Sequence, residues 1–286
     1  MRYRFLRFPG GKAKAVTLSY DDGSRCDIRL AETINKYEIK CTFNINSGFI
    51  AKESGQDKLS KEEIKEYILD EGHEVAVHGE LHRAPGKVRP IEFVTDVLNC
   101  RLELENMFGR IIRGMAYPDS GITLIMPGMS YEKIRQNLKD LDIVYSRTLG
   151  EDNDSFMLPD DWYAWIPTAH HINPNAIAYA KKFIKMDMKN RYLSDMQPRL
   201  YYLWGHSFEF DNNNNWELLD ELCEVLGGHD DVWYATNIEI YDYVTAYNSL
   251  VYSADGTRVY NPTRIDVWFV VDGKLYEVKS GQEIMV

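Results

Sequence analysis

One stretch, Thr17-Leu-Ser-Tyr-Asp-Asp-Gly23, constrains this chain more than any other. Val16, Leu18 and Tyr20 alternate with Thr17 and Ser19, which is the period of a partly buried β-strand. That strand runs straight into two adjacent carboxylates, Asp21 and Asp22, and then a glycine. Successive side chains point in different directions, so one carboxylate can ligate a cation while its neighbour faces a bound water or substrate. Two acids side by side are costly unless something cationic binds them. Asp-Asp-Gly is equally good turn chemistry, and a plain turn accounts for it when it is taken alone. The second reason to read it as a site lies downstream, at His78 and His82.

Strand and helix patterns alternate along most of the chain. Asp27 to Tyr37 carries a helical apolar stripe, Cys41 to Ile45 reads as a strand, and Ser60 with Glu63 forms a capping box that opens a helix ended by Gly72. Glu74 to Val77 is a third strand, which delivers His78. Pro90 starts a long helix closed by Gly109, and Ile111 to Ala116 is the next strand. A helix capped by Ser130, a strand over Ile143 to Ser146, an irregular aromatic stretch to His171 and a helix from Pro174 follow. Leu200 to Trp204 then delivers His206, before a helix, a strand and a last helix ending near Tyr247. Such alternation implies a parallel sheet or barrel with its chemistry at the strand ends. From Ser249 only short strands remain, with Asp272-Gly273 as a two-residue hairpin turn. The expected organisation is a barrel over 1–248 and a small β appendage over 249–286.

Composition narrows the function classes. A net charge of −11 argues against nucleic acid or an anionic membrane surface as partner. Aromatic residues make up 13% of the chain, which suits stacking on sugar rings as well as core packing. The four cysteines, Cys26, Cys41, Cys100 and Cys223, form no Cys-x-x-Cys pair and read as reduced and buried. Arg2, Arg4 and Arg7 interrupt the apolar runs of the N-terminus, and no stretch has the length of a membrane span. A cytoplasmic location is expected for the chain as it stands, or an exported one if a leader has been removed.

His78-Gly-Glu-Leu-His82 places two imidazoles four apart, on one face if the segment is helical. The metalloprotease pattern needs Glu directly after the first histidine, where Gly79 stands. A two-His, one-carboxylate iron site on His78, His82 and Asp22 is compatible by ligand type but leaves Asp21 idle. Among the other histidines, His73 reads as a structural residue, His229 as a surface turn, and His170 and His171 could line the cleft.

Leu18-Ser-Tyr-Asp-Asp-Gly23 followed by His78-Gly-Glu-Leu-His82, with Glu71-Gly-His-Glu74 before it, resembles the polysaccharide deacetylases, the NodB-homology or carbohydrate esterase family 4 group. The resemblance covers roughly residues 14 to 247 and implies a distorted (β/α) barrel of the NodB type. It implies that Asp22, His78 and His82 hold one divalent metal ion and that Asp21 is the catalytic base. The family's Arg-Pro-Pro-Tyr-Gly motif corresponds to Met115-Ala-Tyr-Pro-Asp-Ser-Gly121, so Ala116 takes the arginine position and Arg113 is the candidate replacement. Pro118 has no N–H, which leaves Asp119 to supply the oxyanion donor. The Asp-Trp motif corresponds to Asp160-Asp161-Trp162, and the Leu-x-His motif to Leu203-Trp-Gly-His206, whose histidine would be the general acid.

The expected function is removal of acetyl groups from N- or O-acetylated carbohydrate, with Tyr117, Trp162, Trp204 and Arg113 as substrate-binding candidates. Zinc is the first choice of metal from the nitrogen-rich ligand set, with iron, cobalt or nickel acceptable. Two other readings stay open: an amide hydrolase acting on a small substrate, and a non-catalytic carbohydrate-binding protein, the latter because of Ala116. The sequence leaves the oligomeric state open.

Overall fold

In a computed structural model, which describes residues 2–188 and 196–286, strands and helices alternate as the sequence pattern predicts. In chain order these are β1 (Arg4–Arg7), β2 (Lys14–Asp21), α1 (Cys26–Asn35), β3 (Cys41–Ile45), α2 (Lys61–Ile64, continued by a π-turn over Lys65–Leu69), β4 (Glu74–Val77) and α3 (Pro90–Phe108). Then come β5 (Gly114–Ala116), α4 (Tyr131–Asp140), β6 (Tyr145–Arg147), β7 (Ala169–His170), α5 (Ala176–Ile184), β8 (Arg199–Gly205), α6 (Phe208–Asn212), α7 (Glu217–Leu226), β9 (Val232–Tyr234) and α8 (Asn237–Asn248). The chain ends with β10 (Val251–Tyr252), β11 (Arg258–Tyr260), β12 (Val267–Val271), β13 (Lys274–Val278) and β14 (Glu283–Met285).

A parallel sheet in the order β6-β5-β4-β3-β2-β8-β7 forms the body. β8 runs along the whole of one edge of β2, while the other edge is shared by β9 at Lys14–Val16 and β3 at Leu18–Asp21. Between β6 and β8, Trp165 exchanges backbone hydrogen bonds with Ser146 and Thr148, and Thr168 donates to the Tyr202 carbonyl. That segment spans the gap between β6 and β8 and curls the sheet into the distorted barrel.

The fold corrects the expectation for β2. Every residue from Lys14 to Asp21 is buried, so the strand is covered on both faces, as parallel strands usually are. Val16, Leu18 and Tyr20 face the apolar layer under the helices. The polar members face the barrel interior, where Thr17 Oγ1 donates to Asn237 Oδ1 and Asn44 donates to Ser19 Oγ. The alternation marks helix side against barrel interior, not core against solvent. Asp21 continues the inward row.

The cap signals hold. Ser60 and Glu63 close their capping box, and Gly109 ends α3 with φ 62°. Thr236 caps α8, which plugs the lower end of the barrel: Asn237 N–H donates to Thr42 Oγ1 and Ile238 N–H to Glu74. β12 pairs with β13 through the Asp272-Gly273 turn, both residues having positive φ. β12 pairs on its other side with β1 in the register Arg4↔Val271 to Arg7↔Trp268, so the first strand of the chain belongs to a tail sheet. All four cysteines are unpaired, and Cys26 is only partly buried. No helix among the described residues is long and apolar enough to cross a membrane.

Candidate active site

The C-terminal ends of β2, β4, β6, β7 and β8 converge, because parallel strands deliver all their following loops to one rim. Asp22 sits just past β2 with φ 80°, and Lys58 donates to its carbonyl at 2.7 Å. His78 follows β4, and its Nδ1 lies 2.9 Å from the Ala116 carbonyl. That contact puts the ring proton on Nδ1 and turns the Nε2 lone pair toward Asp22. Asp22 Oδ1 lies 3.6 Å from His78 Nε2 and 3.5 Å from His82 Nε2. Ligand atoms this close, two imidazole nitrogens and one carboxylate oxygen, fit a small divalent ion.

The two histidines do not meet on a helix. The segment from His78 to His82 is irregular, with Gly79 at φ 75° and His82 at φ 56°, and the rings meet edge to face at 4.9 Å. Asp96 on α3 holds this turn, since its Oδ1 accepts the Leu81 N–H at 2.8 Å and its backbone carbonyl accepts the Glu80 N–H. Positive φ at both Asp22 and His82 costs roughly 1 kcal/mol or more apiece, which the surrounding contacts must offset. Glu80 turns away from the histidines to accept from Asn99.

Asp21 points into the barrel, 2% exposed. Arg147, from the end of β6, donates to its Oδ2, and Asn44 donates to Oδ1 at 2.8 Å. Burial pushes this carboxyl up, but Arg147, His78 and His206 more than offset it and hold the group below its ordinary value. The Arg147 guanidinium is itself buried and lies 4.2 Å from the centroid of the Trp204 ring. Burial holds His78 below its ordinary value as well, which keeps its lone pair free. His206, after β8, places Nε2 4.0 Å from Asp21 Oδ2 and Nδ1 3.5 Å from Glu209 Oε1. Burial would lower its pKa, but Glu209 and Asp21 raise it above the ordinary value.

Residues 9–146 match the family model described as polysaccharide deacetylase. The likeness to the polysaccharide deacetylase family therefore spans β2 to β6, slightly less than half of the chain. A search of curated proteins finds no match. Among solved structures, the chain is similar to a candidate polysaccharide deacetylase from Mycobacterium smegmatis at 18% identity and TM-score 0.56, covering 85% of this chain and 94% of that one. It is also similar to the Xyl-CE4 domain of a multidomain xylanase from the hindgut metagenome of Trinervitermes trinervoides, at 15% identity and TM-score 0.52, covering 82% and 92% of the two chains. A family 4 carbohydrate esterase from Streptomyces lividans aligns at 11% identity and TM-score 0.50, covering 78% and 93%. At these identities the likeness shows the fold, a NodB-type (β/α) barrel.

Against that family pattern, Asp21, Asp22, His78, His82 and His206 come together, and Trp204 lines the same rim. Asp119, φ 51°, lies past β5 with its side chain paired to Lys87 at 2.7 Å. Three expectations are corrected. Arg113 precedes β5, at the opposite end of the barrel, and pairs with Asp242 on α8 at 2.6 Å. Tyr117 is 3% exposed and donates to the Tyr163 carbonyl, so it braces a loop and offers substrate no surface. Trp162 packs edge to face on Trp165 and on Tyr241 of α8, away from the histidines. Asp161 is likewise engaged elsewhere, by Tyr131 and Tyr163.

Sequence reading missed Arg147 and Glu209. Arg147 ends the Ile143–Ser146 strand pattern one residue beyond the predicted boundary, which was its available signal. Glu209 stands three residues after His206, a spacing that puts it beside its neighbour on a helical turn.

Proposed function

We propose that this protein is a metal-dependent hydrolase that removes acetyl groups from N- or O-acetylated carbohydrate. The observation that carries the reading is the pairing of two differently treated carboxylates: Asp22 faces two imidazole nitrogens, while Asp21 is locked to a buried arginine and an asparagine. Asp22, His78 and His82 would hold the ion, zinc first by donor type. Bound there, a divalent ion supplies an acidified water and charge stabilisation for the acyl oxygen.

Asp21 takes the proton of the attacking water as the new C–O bond forms at the acetyl carbon. The Asp119 N–H is the candidate donor to the oxyanion. His206 gives its Nε2 proton to the leaving nitrogen or oxygen as the bond to the acetyl carbon breaks, releasing acetate and the free amine or alcohol. The non-catalytic reading rests on Ala116, and Arg147, a cation brought to Asp21 from another strand, favours the catalytic one.

The test compares Asp22→Asn with Asp21→Asn for zinc content and for deacetylation of acetylated chito-oligosaccharides and aryl acetates. Asp22→Asn should lose metal, since a neutral amide is a poor partner for a dication. Asp21→Asn should keep metal and fold but lose about 10²–10⁴ in turnover. An active, metal-loaded Asp21→Asn would refute this mechanism. Turnover of small amides alone would point to the small-substrate hydrolase, and sugar binding without turnover to a binding protein.

A further inference from the structure

Glu209, in α6, stands against three histidines delivered by two strand ends. His170 Nδ1 accepts the Ile172 N–H at 3.2 Å, so the ring proton sits on Nε2, which lies 3.3 Å from Glu209 Oε2. His171 Nε2 lies 3.3 Å from the same oxygen. The His171 ring is fully buried, stacked between Tyr20 at 5.7 Å and Phe210 at 4.2 Å. Gly205 admits it, because a Cβ there would lie 1.9 Å from His171 Nδ1. The His206 backbone N–H donates to Oε2 at 3.3 Å. The His206 backbone N–H therefore hydrogen-bonds Oε2, the two imidazoles approach the same oxygen at ion-pair distance, and Oε1 faces the His206 ring at 3.5 Å.

We propose that Glu209 is a positioning residue for the acid His206, and that His170 and His171 clamp it so that Oε1 is reserved for His206 Nδ1. This rests on the deacetylase reading above and deepens it. With Nδ1 facing Glu209 Oε1, the Nε2 atom of His206 is the one presented to Asp21 and the reacting bond. A His-His-Glu cluster is also a set that a metal ion could use. That use needs a lone pair on His170 Nε2, where the Ile172 contact places the proton.

The charged and titratable groups facing His206 are Glu209 on α6, Asp21 and Asp22 after β2, Arg147 from β6 beside Asp21, and His170 and His171 after β7. Burial holds His170 to about 4 and His171 to about 3, so both are neutral clamps, whereas Glu209 is held below its ordinary value and stays charged. Removing the Glu209 charge takes away a hydrogen bond and a charge that both raise His206, so its pKa falls. An acid must be protonated to act, so the alkaline limb of the rate profile moves to lower pH.

The zinc-loaded full chain, wild type and Glu209→Gln, is titrated by NMR with labelled histidine and assayed on an N-acetylglucosamine oligomer and on p-nitrophenyl acetate. The expected result is a lower His206 pKa, a matching shift of the alkaline limb, and kcat on the amide down about 10²-fold at unchanged KM. Loss on the aryl acetate stays within about 3-fold, because p-nitrophenolate departs without a proton. An unmoved His206 titration, or equal loss on both substrates, overturns the proposal. So does a second zinc per chain that Glu209→Gln releases. Should that variant not fold, His170→Gln, at a partly exposed ring, should move the His206 titration in the same direction by less, and no movement there is equally fatal. Wild type inert on every substrate sinks the deacetylase reading alone, since the NMR titration still decides whether Glu209 sets His206.

Discussion

Asp21 and Asp22 are neighbours in sequence and opposites in environment. Asp21 is buried and tied to Arg147 and Asn44, while the Asp22 side chain is 20% exposed and faces the histidines. Replacing Arg147 by Met leaves the Asp21 charge buried without its cation, which typically costs about 3–5 kcal/mol. With Arg147 the folded carboxyl lies below its unfolded value, so its stabilisation is present above the unfolded pKa and lost as pH falls through the folded one. In Arg147→Met that contribution should vanish at neutral pH, and the acidic limb of the rate profile should move up as the base holds its proton longer. Denaturant unfolding at pH 7 and a pH–rate series check both, and unchanged stability with an unchanged limb would remove Arg147 from the site. Neither Arg147 nor Glu209 could be assigned from the chain alone. An arginine ending one strand says nothing about which acid it meets until the strand order is known, and three strands, β3, β4 and β5, stand between β6 and the β2 that carries Asp21.

At the scale of elements, strands β3 and β4 and helix α3 stand where their patterns placed them, because period, caps and breakers are local properties. The turn from His78 to His82 is different. A spacing of four suits a helical face, but the same spacing serves a loop whose glycine takes positive φ. Gly79 does so, and a Cβ there would lie 2.2 Å from Asp96 Oδ2. Gly79→Ala should therefore cost more than the roughly 1–2 kcal/mol of a left-handed alanine, and it should weaken zinc binding by displacing His82. Gly228→Ala is the control, since Gly228 also has positive φ but nothing stands within 4 Å of the added carbon. Equal melting losses for the two variants, with zinc affinity intact in the first, would show that the Asp96 contact does not shape the metal turn.

Across the whole molecule, the two ends of the chain are interlocked. β1 pairs with β12, the Tyr243 hydroxyl of α8 donates to the Arg7 carbonyl and accepts from the Trp268 N–H, and Leu6 and Phe8 lie in one apolar cluster with α8. Ending the chain at 248 strips β12 from β1 and uncovers Leu6, Phe8 and the α8 face. The truncated protein is expected to melt several degrees lower or to lose its single cooperative transition, with exposure of a surface that binds hydrophobic dye as the accompanying sign. A truncation that melts like the full chain would show that the tail sheet adds nothing to the barrel. The pattern of short strands after Ser249 was legible, but the partner of the first strand was not, because β pairing between chain ends leaves no periodic mark.

The sequence by itself determined the adjacent carboxylates, the histidine pair, the alternation that implies a parallel sheet or barrel and the delivery of the metal-ligand candidates and His206 to strand ends. These depend on contacts within a few residues or on the two-residue and 3.6-residue periods. Tertiary structure alone decided which cation restrains Asp21, which carboxylate turns His206, and why Arg113, Tyr117 and Trp162 stand outside the site. Those outcomes depend on strand order and on which end of the barrel a residue occupies, and neither is written in local spacing.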